Sequence, residues 1–364
     1  MVDYLQTMVR QNASDIHLAA NSPPRIRIDE QLLPLGDTPL PADKVKELVY
    51  SLLTPYHIER FEREKELDMA FGLEGLSRFR VNVFLQRGTV AIAIRTLPHK
   101  IRTFEECGLP VDLVTALCNK PKGLVLVTGS TGSGKSTSLA AMVNYINSQR
   151  KCHIITVEDP IEYVFENNKA LIQQREIGED TISFAQSLRR ILRQDPDVIL
   201  IGEMRDLETI RSALNIAETG HLVFATLHTA DAVSTINRII DVFPPSQQQQ
   251  VRIQLSFVLM AVLSQQLIPM AQGKGRILAT EVMVANHAVR SLVRESKAHQ
   301  IYSVIQTGSR EGMRTMNQAL LELYSSKMIT HEEAISRTTE PEELEQLIQH
   351  SGMGQTQKSG AKHH

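Results

Sequence analysis

Apolar positions along the chain recur with two periods, and the changes of period mark its elements. Ser14-Asp15-Ile16-His17-Leu18 predicts a short strand, and after Pro23-Pro24 the stretch Arg25-Ile26-Arg27-Ile28 alternates charged with apolar residues. Residues 42–53 carry Val45, Leu48, Val49 and Leu52 on one helical face. Thr54-Pro55 then opens another helix, with proline in its first turn. Phe79-Arg80-Val81-Asn82-Val83 alternates as a half-buried strand. Gln86-Arg87-Gly88 turns the chain into Thr89-Val90-Ala91-Ile92-Ala93-Ile94-Arg95. This pattern predicts a small α+β domain built on an antiparallel sheet. Leu97-Pro98-His99-Lys100 reads as a linker, and residues 103–117 as short helical segments.

From Gly123 the pattern changes to short, wholly apolar runs that each end in polar residues. Residues 123–128, 153–157, 198–201 and 222–226 predict buried strands. Between them, residues 138–149 carry Leu139, Met142, Val143 and Ile146 at helical spacing. A second helix is predicted to follow the capping-box sequence Ser183-Phe184-Ala185-Gln186 and to run to Arg193. A third runs to Thr219, where Gly220 can stop it. Alternating strands and helices imply a parallel sheet covered on both faces. Ligands of such sheets sit at the C-terminal strand ends. Those ends carry residues 129–136, Glu158 to Glu162, Glu203 and His228, which are predicted to converge on one rim, with Glu203 one strand over from the glycine loop. From about Val251 the chain reads as mostly helical.

Composition narrows the function. The 364 residues suggest two domains, and 42% hydrophobic residues supply ample core. A net charge of -2 with no basic, aromatic-rich stripe argues against nucleic acid as a partner. Cys107, Cys118 and Cys152 are scattered without a C-x-x-C pair, which excludes a disulfide framework or a zinc module and suits a reducing cytosol. No secretory signal or membrane-spanning run is expected, since the longest apolar stretch, residues 255–263, is far too short. The tail, residues 351–364, is Gly/Ser/Gln/Lys-rich and predicts disorder, with His363-His364 resembling a tag remnant.

The candidate chemistry lies on the predicted rim. Gly129-Ser130-Thr131-Gly132-Ser133-Gly134-Lys135-Ser136 fits G-x-x-x-x-G-K-[ST] between a predicted strand and a predicted helix. Glycines let backbone N–H groups close round an anion, and the helix N-terminus adds positive potential. Ser130 to Thr137 are the nucleotide-binding candidates. Lys135 is suited to the β- and γ-phosphates, and the Ser136 hydroxyl to Mg²⁺. Gly202 stands where an Asp is usual, so Glu203 is the first carboxylate of its strand end, suited to Mg²⁺ through water or to the lytic water. Glu158, Asp159 and Glu162 form a second acidic group, with Pro160 setting a rigid turn. The division of labour between Glu162 and Glu203 stays open. His221 and His228 bracket the fourth strand of this domain at opposite ends and cannot share a metal. His228 lies on the rim. Arg78, Arg80, Arg87 and Arg95 cluster on the N-terminal hairpin, where a charged edge that discourages sheet-to-sheet pairing is the simpler reading.

Four segments carry a family resemblance: 129–137, 155–163, 195–206 and 219–229. They resemble the Walker A, Asp box, Walker B and His box of the secretion ATPases, the hexameric motors of type II and type IV secretion and of type IV pili. The Gly-Glu Walker B is normal in that family. Within it the chain is similar, from Ala13 to about His350, to the PilT-type twitching-motility ATPases that retract type IV pili. Residues 288–295 are similar to a C-terminal motif linked to retraction. Asp29-Glu30 departs from a usual Asp-Gly.

The resemblance implies an α/β architecture: a PAS-like α+β domain (1–98), a linker (99–108), a RecA-like P-loop ATPase domain with a helical C-terminal part (109–350), and the tail. It implies ATP and Mg²⁺, a homohexamer with nucleotide sites between subunits, and Arg80 and Arg95 approaching the phosphates. It further implies a cytoplasmic place at the pilus base, peripheral to the inner membrane and against its platform protein. Retraction is favoured over extension or secretion because no cysteine follows Cys152, so the four-cysteine zinc module of those relatives is missing, and because only one small domain fits before Gly129. The competing readings are a pilus-extension or type II/IV secretion ATPase and a nucleotide-dependent binding switch.

Overall fold

A computed structural model describes residues 1–28, 31–97, 100–273 and 275–351. The Asp29-Glu30 turn, the Pro98-His99 part of the expected linker and the tail from residue 352 lie outside the described residues. Contacts divide the chain into two compact units: Met1–Lys100 with Pro160–Val164, and Ile101–Asp159 with the chain from Phe165 onward.

The first unit holds strands β1 (Asp15–Leu18), β2 (Arg25–Ile28), β3 (Gln31–Pro34), β4 (Glu66–Leu73), β5 (Ser77–Gln86) and β6 (Thr89–Leu97). They form one six-stranded antiparallel sheet in the order β3-β2-β1-β6-β5-β4. Alternation along β5 buries Phe79, Val81 and Val83 completely, and Leu5, Met8, Val45, Val49 and Phe61 of three helices join the same core. The first of these helices, Val2–Arg10, was not apparent in the polar opening sequence. The helix after Thr54 begins as its sequence predicts, with the Thr54 hydroxyl accepting from His57 N–H.

The second unit holds β7 (Gly123–Thr128), β8 (His153–Glu158), β9 (Leu171–Glu176), β10 (Val198–Ile201), β11 (Leu222–Leu227), β12 (Leu259–Pro269) and β13 (Arg276–Val284). The seven-stranded order is β13-β12-β7-β11-β10-β8-β9, parallel except for the β12–β13 hairpin. Both faces are covered, as wholly apolar strands require: Leu124 and Leu126 of β7 enter one core, Val125 and Val127 the other.

The mostly helical chain expected from about Val251 is interrupted by a hairpin that the expectation did not include. Helix Pro245–Val258 runs directly into β12, and the eleven-residue strand adds a neighbour to β7 on the side away from β11. No glycine or proline separates the two elements. Arg290 makes the change of structure possible, donating to the carbonyls of Ser256, Phe257 and Leu259, which a helix ending there would otherwise leave unpaired. Arg290 belongs to helix His287–Arg294, which contains most of the stretch 288–295 singled out above. Helices Met316–Ser325, His331–Arg337 and Pro341–His350 then pack Leu320, Ala334, Leu344 and Ile348 against Ile268 and Ala279 of the hairpin. Among the described residues no helix is long and apolar enough to cross a membrane.

Candidate active site

The glycine loop leaves β7 at Thr128. Gly129 has φ 138°, and a Cβ there would stand 2.4 Å from the Gln265 carbonyl oxygen and 2.6 Å from Ser133 Oγ, so only glycine fits. Gly134, at φ 92°, turns the chain into helix Lys135–Gln149, which therefore starts three residues earlier than its apolar spacing predicts. Ser130, Thr131 and Gly132 form an exposed crest, while Ser136 and Thr137 are half-buried in the first helical turn. Lys135 is only 8% exposed, and its Nζ donates to the carbonyls of Gly129 and Ser130, 2.8 Å each. Ser133 Oγ is buried inside the loop without a hydrogen-bond partner. A buried orphan hydroxyl is costly unless a ligand completes it. An inward lysine and an unmet hydroxyl donor suit phosphate oxygens.

The sheet order revises one expectation. Glu203 is two strands from the glycine loop, because β11 lies between β7 and β10, and the strand end adjacent to the loop is the one that carries His228. Glu203 and His228 nevertheless meet: Glu203 Oε1 lies 3.4 Å from His228 Nε2 and 2.7 Å from Arg205 Nε. Burial pushes the Glu203 carboxyl up, but the Arg205 guanidinium and then His228 outweigh it and hold the pKa below the ordinary carboxylate value. Glu203 is thus ionised at neutral pH. The neighbouring Gly202 has a packing cause: a Cβ there would come within 3.2 Å of Glu158 Cα and of the Val157 carbonyl. An Asp at that position would push β10 from β8. Met204 N–H donates to the Thr226 carbonyl at 3.0 Å, which ties the Glu203 strand end to β11.

The second acidic group is divided. Glu158 ends β8 and accepts from the Thr156 hydroxyl at 2.6 Å and from Gln174 at 3.3 Å. Glu162 lies in the Pro160–Val164 segment that belongs to the first unit, where Arg78 Nε donates to the Ile161 carbonyl at 3.3 Å. Arg80 and Arg95 stand directly opposite each other on β5 and β6. Arg95 Nε donates to Asp15 at 2.8 Å. Burial raises the Asp15 pKa, but the Ser14 hydroxyl and the Arg95 guanidinium together leave it lowered. His221 stays away from the rim, at the start of β11, with Nδ1 3.1 Å from the Ile216 carbonyl.

Sequence patterns missed the polar residues of the hairpin. Ser264 accepts from the Thr128 hydroxyl at 2.9 Å, directly before the glycine loop, and Gln265 Nε2 donates to Ser138 of the loop helix at 2.8 Å. Glu281 on β13 is 3% exposed and accepts from Ala232 N–H at 2.9 Å. Burial pushes its carboxyl up to about 7, against the hydrogen bond from Ala232 and with the charge of Asp231 adding to the rise. A folded-state pKa above the ordinary 4.5 means that the folded protein holds a proton the unfolded chain has lost. Stability therefore falls as pH rises from about 4.5 to about 7, by roughly 3 kcal/mol from this group. Glu281→Gln should remove that component. The difference in unfolding temperature between the variant and the parent should shift in favour of the variant from pH 5 to pH 8, and parallel pH profiles would refute the assignment.

Oxygen donors for a hard cation are present in Ser136 and Glu203. Among the described residues no group of three or more His, Cys, Asp or Glu side chains could hold a metal alone. A Mg²⁺ at this site would therefore depend on phosphate and water for most of its ligands, as nucleotide-bound Mg²⁺ does.

The type II/IV secretion system protein family matches residues 2–349. The chain is 46% identical to the type IV pilus retraction ATPase PilT of Pseudomonas aeruginosa over 342 residues, 94% of this chain and 99% of that one. It is 44% identical to a twitching motility protein of Neisseria gonorrhoeae over 344 residues, covering 94% and 92% of the two chains. Its fold superposes with TM-score 0.89 on a crystal structure of the pilus retraction motor PilT with bound ADP, at 50% identity over 95% of this chain and 99% of that one. With a phosphate loop, an ionised strand-end carboxylate beside a histidine, and these likenesses along nearly its whole length, the chain belongs to the type II/IV secretion system protein family.

Proposed function

We propose that this protein is an ATP-hydrolysing motor that powers the retraction of type IV pili. The observation that carries this reading is the phosphate loop, with its buried, unmet Ser133 hydroxyl and inward Lys135, in a chain similar end to end to a retraction ATPase. Backbone N–H groups of Ser130 to Thr137 hold the phosphates, and Lys135 exchanges its two loop carbonyls for phosphate oxygens. Ser136 would hold Mg²⁺, with Glu203 reaching it through water. The ion would supply charge neutralisation at the phosphates. Glu203 and Glu162 divide metal support and orientation of the attacking water, and His228 holds the Glu203 carboxylate in place.

Arg80 and Arg95 supply the mobile positive charge. An arginine that meets the phosphates only during reaction is worth about 10³ or more in rate. The Arg95 guanidinium is 66% exposed, and when it leaves, the buried Asp15 keeps the Ser14 hydroxyl at 2.7 Å and Arg27 at 3.8 Å. Closure of the N-terminal PAS-like domain and the RecA-like domain across ATP, repeated round a homohexamer, would be the power stroke. The inner-membrane pilus platform would be the partner, with the motor on its cytoplasmic side. The boundaries 1–98, 99–108 and 109–350 are the proposed domain limits.

Purified protein supplied with Mg²⁺ and ATP should have the mass of a six-membered ring and release phosphate continuously. Monomers under every nucleotide condition would contradict the ring. A single stoichiometric burst would instead favour a nucleotide-dependent switch.

A further inference from the structure

Strand register connects the candidate site to a carboxylate outside it. Leu227 pairs with Thr128, Thr128 with Ser264, and Ser264 with Glu281, so one row of residues crosses the sheet from β11 to β13. At Leu227 the chain leaves for His228, and at Thr128 it enters the glycine loop. Glu281 closes the row. Its Oε1 accepts from the N–H of Ala232, the first residue of helix Ala232–Asp241 and four residues beyond His228. One buried carboxylate thus satisfies a donor at the head of this helix.

The segment between His228 and Ala232 is internally braced. The Thr229 and Thr235 hydroxyls are 2.6 Å apart, Thr235 Oγ1 donates to the Asp231 carbonyl at 2.7 Å, and Asp231 caps the helix by accepting from Ser234 N–H at 2.7 Å. With the segment stiff, its attachment to β13 decides where His228 stands. We propose that Glu281 is a positioning residue for hydrolysis: by holding the head of helix Ala232–Asp241 against β13, it fixes His228 against Glu203. The proposal rests on the ATPase reading. The titratable groups facing Glu281 are Asp231 at the head of that helix and Tyr302. Neither is a cation, so the Ala232 N–H is what holds the carboxylate in place.

Glutamine at 281 keeps the volume but replaces the carboxyl with a neutral amide, a weaker acceptor for the Ala232 N–H than a carboxylate. Full-length Glu281→Gln should be compared with the parent by ATP-hydrolysis kinetics and by amide hydrogen exchange. The expected result is a kcat lowered about ten-fold with KM changed less than about two-fold, as for a residue acting on chemistry rather than on nucleotide binding. Exchange should quicken in peptides covering 227–236 and stay unchanged in helix Lys135–Gln149. Thr235→Val, which removes the brace to Thr229, should reproduce the kinetic split and the faster exchange at 227–236 even if Glu281→Gln folds poorly. Unchanged kcat and exchange in Glu281→Gln would overturn the proposal, and so would loosening spread evenly over the ATPase unit. A parent protein without ATP turnover would sink the ATPase reading, while exchange at 227–236 would still report whether Glu281 holds this segment.

Discussion

Lys135→Ala should abolish ATP turnover, lowering it at least about 10³-fold, while leaving a folded protein. The expectation follows from what the side chain touches. Its Nζ meets two carbonyls of its own loop, Gly129 and Ser130, at 2.8 Å. The Ser130 carbonyl can rehydrate when the ammonium is removed, because Ser130 and the crest beside it are exposed. The core around β7 is built from Leu124, Val125, Leu126 and Val127 and does not include the lysine head. What is lost is the positive charge that ATP phosphates would meet. Phosphate release by the variant, with circular dichroism to confirm its fold, is the measurement. Turnover at the parent rate in a folded variant would remove the phosphate loop from the mechanism.

Glu203→Gln should lower kcat by about 10²-fold or more and leave nucleotide affinity within a few-fold. The carboxylate is held ionised by Arg205 at 2.7 Å and by His228 at 3.4 Å. The amide keeps the shape but removes the charge that orients water or supports the metal. Binding rests mainly on the loop and Lys135, so a fluorescent ADP analogue should still bind. If kcat is unchanged, Glu203 is a structural partner of Arg205 and Glu162 takes over the chemistry. If affinity collapses with kcat, Glu203 is first of all a support for bound Mg²⁺.

The catalytic half of this protein was legible because buried parallel strands are apolar on both faces. Residues 123–128, 153–157, 198–201 and 222–226 stand out as runs, and their polar ends mark the rim. Strand order was not legible. Nothing in the sequence says that β11 inserts between β7 and β10, and this moved Glu203 one strand farther from the loop and brought His228 nearer. β9 escaped notice as an edge strand whose Gln173, Gln174 and Arg175 break any apolar run. β12 escaped because Ser264, Gln265 and Gln266 interrupt it. These side chains are tolerated in a buried strand because Thr128, Ser138 and the Arg337 carbonyl, partners distant in sequence, pair with Ser264, Gln265 Nε2 and Gln266, although Gln265 Oε1 is buried without a partner. Glu281 could have been flagged only once β13 was known. A lone Glu between Thr280 and Val282 looks like a solvated position until the register puts it beneath the head of helix Ala232–Asp241. The family resemblance gave roles to Glu162, Arg80 and Arg95 that no local pattern would have given. The hairpin arginines alone read as a charged edge.

Retraction, rather than ATP hydrolysis alone, is the central claim, and a deletion strain tests it most directly. Cells lacking the gene should carry surface pili, counted by electron microscopy, that never withdraw when followed by fluorescence labelling. Restoring the parent gene should restore withdrawal. A deletion strain with no assembled pili would contradict retraction and make the protein an extension motor.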